Sequence, residues 1–176
     1  MSSFTWHLDA KLSELNIPHL ELVLDEIFGI AGSHLLGSNH VLPLSLNDLV
    51  KRSGIKKEEV FKRLGFVATH ARNIEISPAS LFAELEGGAS PFFLNLCDED
   101  VSMSHPFSKS ARPSELVFDE FICTVKEKDQ TLVTFCPTGE KSFSGALYLK
   151  QQGVINVRSL QGGLVKWAEY RSGQNK

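Results

Sequence analysis

Cysteine is scarce in this chain, with three in 176 residues. Cys97, Cys123 and Cys136 are too few and too irregularly spaced for a disulfide framework of the kind that staples small secreted domains. Long apolar runs are absent too: no uninterrupted stretch approaches the roughly 18 residues that a membrane span requires. Nor does one sign of charge dominate. Eighteen Lys and Arg face 21 Asp and Glu, a net charge of −3, which argues against a chain devoted to wrapping nucleic acid or lying on an anionic membrane. The start, Met1 to Asp9, lacks a basic segment followed by an apolar run, so it does not read as a secretory signal. There is no internal repeat and no low-complexity tract. The expectation is a soluble, cytoplasmic protein with reduced thiols. What is present is globular material, 42% apolar and 22% charged, enough for a real core. The length allows one ordinary domain, or a small domain with a helical appendage.

The first 72 residues read as helical. Leu20, Val23, Leu24, Ile27, Phe28 and Ala31 fall on one face at 3.6-residue spacing, with Pro18 before them and Gly29 and Gly32 at the fraying end. After a glycine-punctuated loop, Gly32 to Pro43, Ser45 can cap a helix carrying Leu46, Leu49 and Val50, and Ser53-Gly54 is a stop signal. A second helix follows with Val60, Phe61 and Leu64. From about Asn73 the rhythm changes. Ile74–Ile76, Phe92–Leu96 and Leu132–Phe135 read as strands, alternating with helical runs Pro78–Glu86, Pro113–Val125 and Ser142–Gln152. Such alternation predicts an α/β domain over residues 73–176 with a mainly parallel sheet flanked by helices, preceded by a small all-helical domain over residues 1–72. Parallel sheets place ligands at the carboxyl ends of their strands. Cys97 and Cys136 both fall just after strands.

The stretch from Leu132 through Cys136 to Ser142 is the most informative. A buried strand delivers a cysteine into a short loop, and a helix begins as the loop closes. Backbone N–H groups of such a loop, with the unpaired N–H groups of the helix start, converge near the sulfur. The positive potential there favours thiolate, the nucleophilic form. Gly139 permits a backbone geometry that a Cβ would obstruct, and Lys141 adds a cation at the rim. By position alone, a buried structural cysteine at a strand end remains an equal alternative.

The residues that follow carry a resemblance. Cys136, Gly139, Lys141 and Ser142, then Gly153, Asn156 and Val157, then Leu160, Gly162, Gly163 and Trp167 fit a C-x-x-G-x-(R/K)-S loop, a G-(F/V)-x-N-V strand and an L-x-G-G-x-x-x-W ending. This resembles the rhodanese domain, and with Ile76 to Leu81 as opening strand and helix the likeness spans roughly residues 73 to 170. The resemblance implies sulfur transfer through a persulfide on Cys136, with Pro137, Thr138, Gly139, Glu140, Lys141 and Ser142 around the substrate. The partners implied are a thiosulfate- or persulfide-type donor and a thiol or protein acceptor. No cofactor and no metal is implied. Rhodanese-fold phosphatases use a longer loop, with five residues between cysteine and a phosphate-clamping arginine. Ser142 stands in that place here and the loop has no arginine, so phosphatase chemistry is not expected.

The chain also departs from the pattern. Where the family has Asp-x-Arg-Glu, this sequence has Asn95-Leu96-Cys97-Asp98-Glu99. Ser104 to Ala111 replaces a Gly-His-Ile-Pro-Gly-Ala segment, leaving His105 as a remnant and a secondary site candidate. Pro137 has no N–H, so the loop has one donor fewer. Glu140 sets a carboxylate beside Lys141, so a small dianion such as thiosulfate is attracted less, and a protein or low-molecular-weight persulfide is the expected donor. On this reading Glu140→Gln raises turnover on thiosulfate. Cys97 reads either as a small apolar residue at a strand end or as a resolving thiol near Cys136. Cys123 reads as packing, on a face with Leu116, Phe118, Ile122 and Val125.

In the front end, His7, His19, His34, His40 and His70 match no metal-ligand spacing. Leu46 to Leu64 has a helix-turn-helix pattern, with Val50, Ile55 and Val60 at packing positions and Lys51, Arg52, Lys56, Lys57, Lys62 and Arg63 available to phosphates. Against DNA as a partner, Glu58 and Glu59 occupy the second helix, Arg63 stands where an apolar residue is expected, and residues 1–72 carry eight acidic and eight basic side chains. The alternatives to an enzyme are a helix-turn-helix regulator with a sulfur- or redox-sensing domain, and a catalytically silent rhodanese-like interaction module. For the helical region itself, partner docking or homodimerisation competes with DNA binding. No membrane partner is expected.

Overall fold

Five short parallel strands form the sheet on which the structure is built, in the order β1-β5-β4-β2-β3. The structure, a computed structural model, describes residues 7–15, 17–20, 24, 45–98, 106–107, 110–127 and 130–174. The helix expected from Leu20 to Ala31 lies almost wholly outside the described residues, as do His34, His40 and His105. The chain divides into two compact units, Met1–Arg72 and Asn73–Lys176.

Among the described residues of the first unit are a 3-10 turn, Leu12–Leu15, and the helices α1 (Leu46–Ser53) and α2 (Lys57–Ile74), the last of which runs past the unit boundary. Ser45 caps α1 as its sequence suggests. Its hydroxyl accepts the Asp48 N–H, and the Asp48 carboxylate accepts the Ser45 N–H at 2.9 Å, a reciprocal capping box. The Ser45 N–H and the Ser45 hydroxyl, which also donates to that carboxylate at 2.8 Å, hold the Asp48 carboxyl below its ordinary range. Gly54 ends α1 with φ 63°, a left-handed conformation that favours glycine. Leu12, Leu46, Leu49, Val60, Leu64 and Val67 are buried. Val50 and Ile55, expected to pack, are only half-buried. Arg63 bonds Glu59 one turn earlier at 2.7 Å, and Lys62 lies 4.0 Å from the same carboxylate, so two of the cations considered for phosphate contact are paired within the helix.

The second unit alternates β1 (Glu75–Ile76), α3 (Pro78–Glu86), β2 (Phe92–Asn95), β3 (Ser110–Ala111), α4 (Phe118–Glu127), β4 (Leu132–Phe135), α5 (Glu140–Gln151), β5 (Val157–Leu160) and α6 (Gly163–Gln174). The α/β class read from the sequence is the class observed. Central β4 is buried at all four positions, the continuous apolar run expected of a parallel strand covered on both faces. Its register with β2 pairs Asn95 with Phe135, and with β5 pairs Thr134 with Ser159. Odd-numbered Val133 and Phe135 join a cluster with Phe93, Phe107, Leu81, Leu160 and Trp167. Phe107 is its hub, stacked on Phe93 at 4.1 Å and lying 5.0 Å from Phe135 and 5.2 Å from Trp167. Even-numbered Thr134 faces the other way and donates to the Ser142 carbonyl on α5 at 2.7 Å.

Several boundaries differ from expectation. Helix α2 continues to Ile74 and claims the first residue of the strand expected at Ile74–Ile76. The helix expected over Pro113–Val125 is two elements, a 3-10 turn at Pro113–Glu115 and then α4 from Phe118. The Pro113 ring starts a helical turn readily, and that turn closes with the Leu116 N–H on the Pro113 carbonyl at 3.2 Å before α4 begins. Cys123 does not pack. It is exposed, because buried Ile122 and Val125 turn the opposite face of α4 inward. Two-residue β3 was not anticipated, being too short to show an alternating pattern.

One ion pair ties a helix to the sheet. Arg158 on β5 grips Glu84 on α3 with both guanidinium nitrogens, at 2.7 and 2.6 Å, and this contact holds the Glu84 carboxyl below its ordinary value of 4.5. Because Glu84 is depressed in the folded state, its contribution is complete above that value and is lost as pH falls through the folded one. Both groups are partly exposed, so Glu84→Gln is expected to cost only about 0.5–1 kcal/mol at neutral pH. Urea unfolding at pH 7 and in acid tests this: the gap between wild type and variant closes in acid, and a gap that persists there assigns the loss to packing instead.

Candidate functional site

The site forms where β4 ends. Cys136 leaves the central strand directly, and α5 starts four residues later at Glu140, two residues before the expected Ser142. Gly139 makes this early start possible. With φ 93° it turns the chain in the left-handed region, serves as N-cap of α5 and accepts the Phe143 N–H through its carbonyl at 3.0 Å.

The Cys136 sulfur lies inside this turn. The Gly139 N–H donates to Sγ at 3.1 Å and the Ser142 N–H at 3.4 Å, while the Ser142 hydroxyl lies 3.6 Å away. The thiol residue is 1% exposed, whereas Thr138, Glu140 and Lys141 beside it in the chain are exposed. Hydrogen-bond donors facing a sulfur stabilise its anionic forms, thiolate and persulfide alike. Of the six loop residues expected around the substrate, Gly139 and Ser142 supply the N–H groups on the sulfur.

The loop is aimed by what holds its carbonyls. The first turn of α6 donates Leu164 N–H to the Cys136 carbonyl at 2.9 Å and Val165 N–H to the Pro137 carbonyl at 3.1 Å. In a trans peptide the carbonyl and the N–H point to opposite sides, so anchoring the Pro137 carbonyl on α6 turns the Thr138 N–H away from that helix. Gly163, with φ 61°, lets α6 approach this closely, since a Cβ there would meet the Cys136 and Pro137 carbonyl oxygens, and Gly162, with φ 66°, makes the turn before it. A Cβ on Gly139 would sit 2.8 Å from Gly162 N and 3.0 Å from Gly163 N.

A hydroxyl chain beneath the loop completes the support, and sequence reasoning missed most of it. Ser142 donates to the Gly139 carbonyl at 3.0 Å and accepts from the Ser159 hydroxyl at 2.9 Å. Ser159 lies on β5 beside Thr134 of β4, whose own hydroxyl pins the Ser142 carbonyl. Thr134, Ser142 and Ser159 are all fully buried. A polar residue inside the otherwise apolar Leu132–Phe135 run is the signal that could have identified Thr134, whereas Ser159 stands beside Arg158 in β5 and offers no such contrast.

Neighbouring β2 brings its own exit to the same edge of the sheet. The Leu96 N–H donates to the Phe135 carbonyl at 2.9 Å, and the Asn95 side chain accepts the Cys97 N–H at 2.9 Å, turning the chain. Cys97 is half-buried against the aromatic cluster. Burial pushes its thiol up, and the negative charge of a Cys136 thiolate adds to that, so Cys97 is held in its protonated, less nucleophilic form. The carboxylate partner of Lys141 is Asp98, not the adjacent Glu140. The ammonium meets both Asp98 oxygens, at 2.5 and 2.7 Å. That hydrogen bond first, and then the charges of Asp98, Cys136 and Cys97, raises the Lys141 ammonium above its ordinary value. Among the described residues, no group of three His, Cys, Asp or Glu side chains is placed to hold a metal ion, and no helix is long and apolar enough to cross a membrane.

Comparison with known proteins agrees with the resemblance noted in the sequence. Residues 94–170 match the family model of the rhodanese-like domain. A sulfurtransferase of Allochromatium vinosum is 40% identical over 43 residues, which is 24% of this chain and 40% of the relative's length. Among solved structures, a rhodanese-related protein of Thermoplasma volcanium is 22% identical, covering 55% of this chain and 91% of its own, with a TM-score of 0.41. A Rhodopseudomonas palustris protein described as a possible tyrosine phosphatase is 18% identical, covering 76% of this chain and 96% of its own, with a TM-score of 0.45.

Proposed function

We propose, starting from residues 94–170 as a rhodanese-like domain, that this chain is a sulfurtransferase that carries sulfane sulfur as a persulfide on Cys136. The observation that carries this reading is the pair of backbone N–H groups, from Gly139 and Ser142, directed onto Sγ in a loop whose Cys136 and Pro137 carbonyls are held by α6. In the first half-reaction the Cys136 thiolate attacks the outer sulfur of the donor. A new S–S bond forms and the donor's own S–S bond breaks. With thiosulfate the departing pair leaves as sulfite, and with a persulfide R–S–S⁻ it leaves as R–S⁻, which takes a proton. In the second, an acceptor thiol takes the outer sulfur and Cys136 departs as thiolate. Both products keep a negative charge on sulfur, where preorganised N–H donors are most effective.

Phosphatase chemistry is a poor alternative for this loop. The place of a phosphate-clamping arginine is held by Ser142, whose hydroxyl is committed to Gly139 and Ser159. Intact-mass spectrometry tests the proposal. After incubation with thiosulfate or 2-hydroxyethyl persulfide the protein gains the mass of one sulfur atom, and the gain is reversed by excess thiol. Protein that gains nothing from either donor overturns it.

A further inference from the structure

We infer that Asp98 is a specificity-determining residue of this site. By holding Lys141 with both carboxylate oxygens it lowers the attraction of the mouth for a dianionic donor such as thiosulfate, and favours a singly charged persulfide R–S–S⁻. This rests on the sulfur-carrier role of Cys136. The argument begins with the loop itself, where Lys141 is the sole cation between Cys136 and Ser142. A free ammonium there would attract the sulfonate end of thiosulfate. Instead it meets the Asp98 oxygens at 2.5 and 2.7 Å, while Glu140 is also exposed beside it. Asp98 and Glu140 thus offset the loop's own ammonium, while Arg112 supplies a positive charge near Cys97.

Asp98 is placed for this by the backbone. β2 and β4 are paired in register at Asn95 and Phe135, and the Asn95 side chain turns the chain by accepting the Cys97 N–H. The next residue, Asp98, thereby reaches a helix that starts from the neighbouring strand. The electrostatic reach of Lys141 extends to both sulfurs, since the charges of Cys136 and Cys97 act on it. At Cys97, beside the loop, the charges of Asp98 and Lys141 act with opposite sign, the carboxylate raising the thiol and the ammonium lowering it. An exposed ion pair adds little to stability, but each unit of charge at the mouth acts twice as strongly on a dianion as on a monoanion.

The reaction balances with the thiol leaving group supplied by the donor. Cys136–S⁻ attacks the outer sulfur of R–S–S⁻, the donor S–S bond breaks, and the departing R–S⁻ takes one proton from solvent to leave R–SH and Cys136–S–S⁻. The test compares second-order loading rates with thiosulfate and with 2-hydroxyethyl persulfide, both read by quenched intact mass. Asp98→Asn is expected to shift the ratio toward thiosulfate by roughly 3- to 10-fold at low ionic strength, and the shift shrinks in molar salt. Asp98→Asn/Lys141→Met restores the wild-type net charge and is expected to restore the wild-type ratio. A ratio unchanged in Asp98→Asn, one insensitive to salt, or a shift that survives removal of Lys141 overturns the inference while leaving the sulfur carrier intact. If neither donor loads the wild type, both the carrier reading and this inference fall.

Discussion

Cys136→Ser is expected to lose sulfur loading by at least about a thousandfold, to the detection floor, while its thermal unfolding stays close to that of the wild type. The two halves of this expectation have separate causes. Serine is nearly isosteric, and its hydroxyl can accept the Gly139 and Ser142 N–H groups that the sulfur accepts now, at 3.1 and 3.4 Å. It can also donate to the Ser142 hydroxyl. No buried donor is orphaned, so the stability change stays within about 1 kcal/mol. The chemistry does not survive, because a neutral hydroxyl is a poor nucleophile toward sulfur and cannot form a persulfide. Intact mass after incubation with either donor reads the first half, and a melting curve reads the second. Digestion of the loaded wild type locates the added sulfur. An adduct that persists in Cys136→Ser and maps to half-buried Cys97 or exposed Cys123 moves the carrier to that residue.

The sequence made some parts of this site readable and concealed others, for physical reasons. The loop from Cys136 to Ser142 was legible because its function lies in backbone geometry, and a glycine at 139 followed by a helix start constrains that geometry locally. The α/β alternation was legible because Leu132 to Phe135 is a continuous apolar run, which in so short a segment indicates a strand covered on both faces. Tertiary partners were not. Thr134 and Ser159 meet only through the register of β4 with β5, and a one-residue slip would point them at the opposite face. Adjacency along the chain suggested Glu140 as the carboxylate acting on Lys141, but the contact comes from Asp98, 43 positions away in sequence. Cys123 was misplaced for a simpler reason. A helical run with Leu116, Phe118, Ile122 and Val125 on its apolar face suggests packing, but α4 turns about 100° per residue, so Cys123 lies off the side that Ile122 and Val125 bury.

Gly163→Ala is expected to produce the largest loss of stability of the variants considered, and to lose function with it. Two costs add at this position. The residue has φ 61°, a left-handed conformation that costs an L-residue about 1–2 kcal/mol. A Cβ there also lands on the Cys136 carbonyl oxygen, 2.5 Å from Gly139 N and 2.6 Å from Pro137 O. These are backbone atoms that no rotamer change can clear, so α6 and the loop must separate, which adds about 1–3 kcal/mol of overpacking. A total near 3 kcal/mol corresponds to a drop of roughly 10 °C or more in the unfolding midpoint of a domain this size. Moving the loop weakens the Leu164 and Val165 hydrogen bonds that hold its Cys136 and Pro137 carbonyls. A displacement of about 1 Å at the sulfur is enough to slow loading roughly a hundredfold. Two other glycines separate the contributions. Gly54 has a similar φ of 63° with open space around it, so Gly54→Ala carries the conformational cost alone. Gly173 lies in α6 with open space and ordinary φ, so Gly173→Ala is neutral or slightly stabilising. Scanning calorimetry paired with loading rates decides the matter. A Gly163→Ala protein that melts and loads like the wild type shows that close contact between α6 and the cysteine loop does not set the N–H groups of Gly139 and Ser142 on the sulfur.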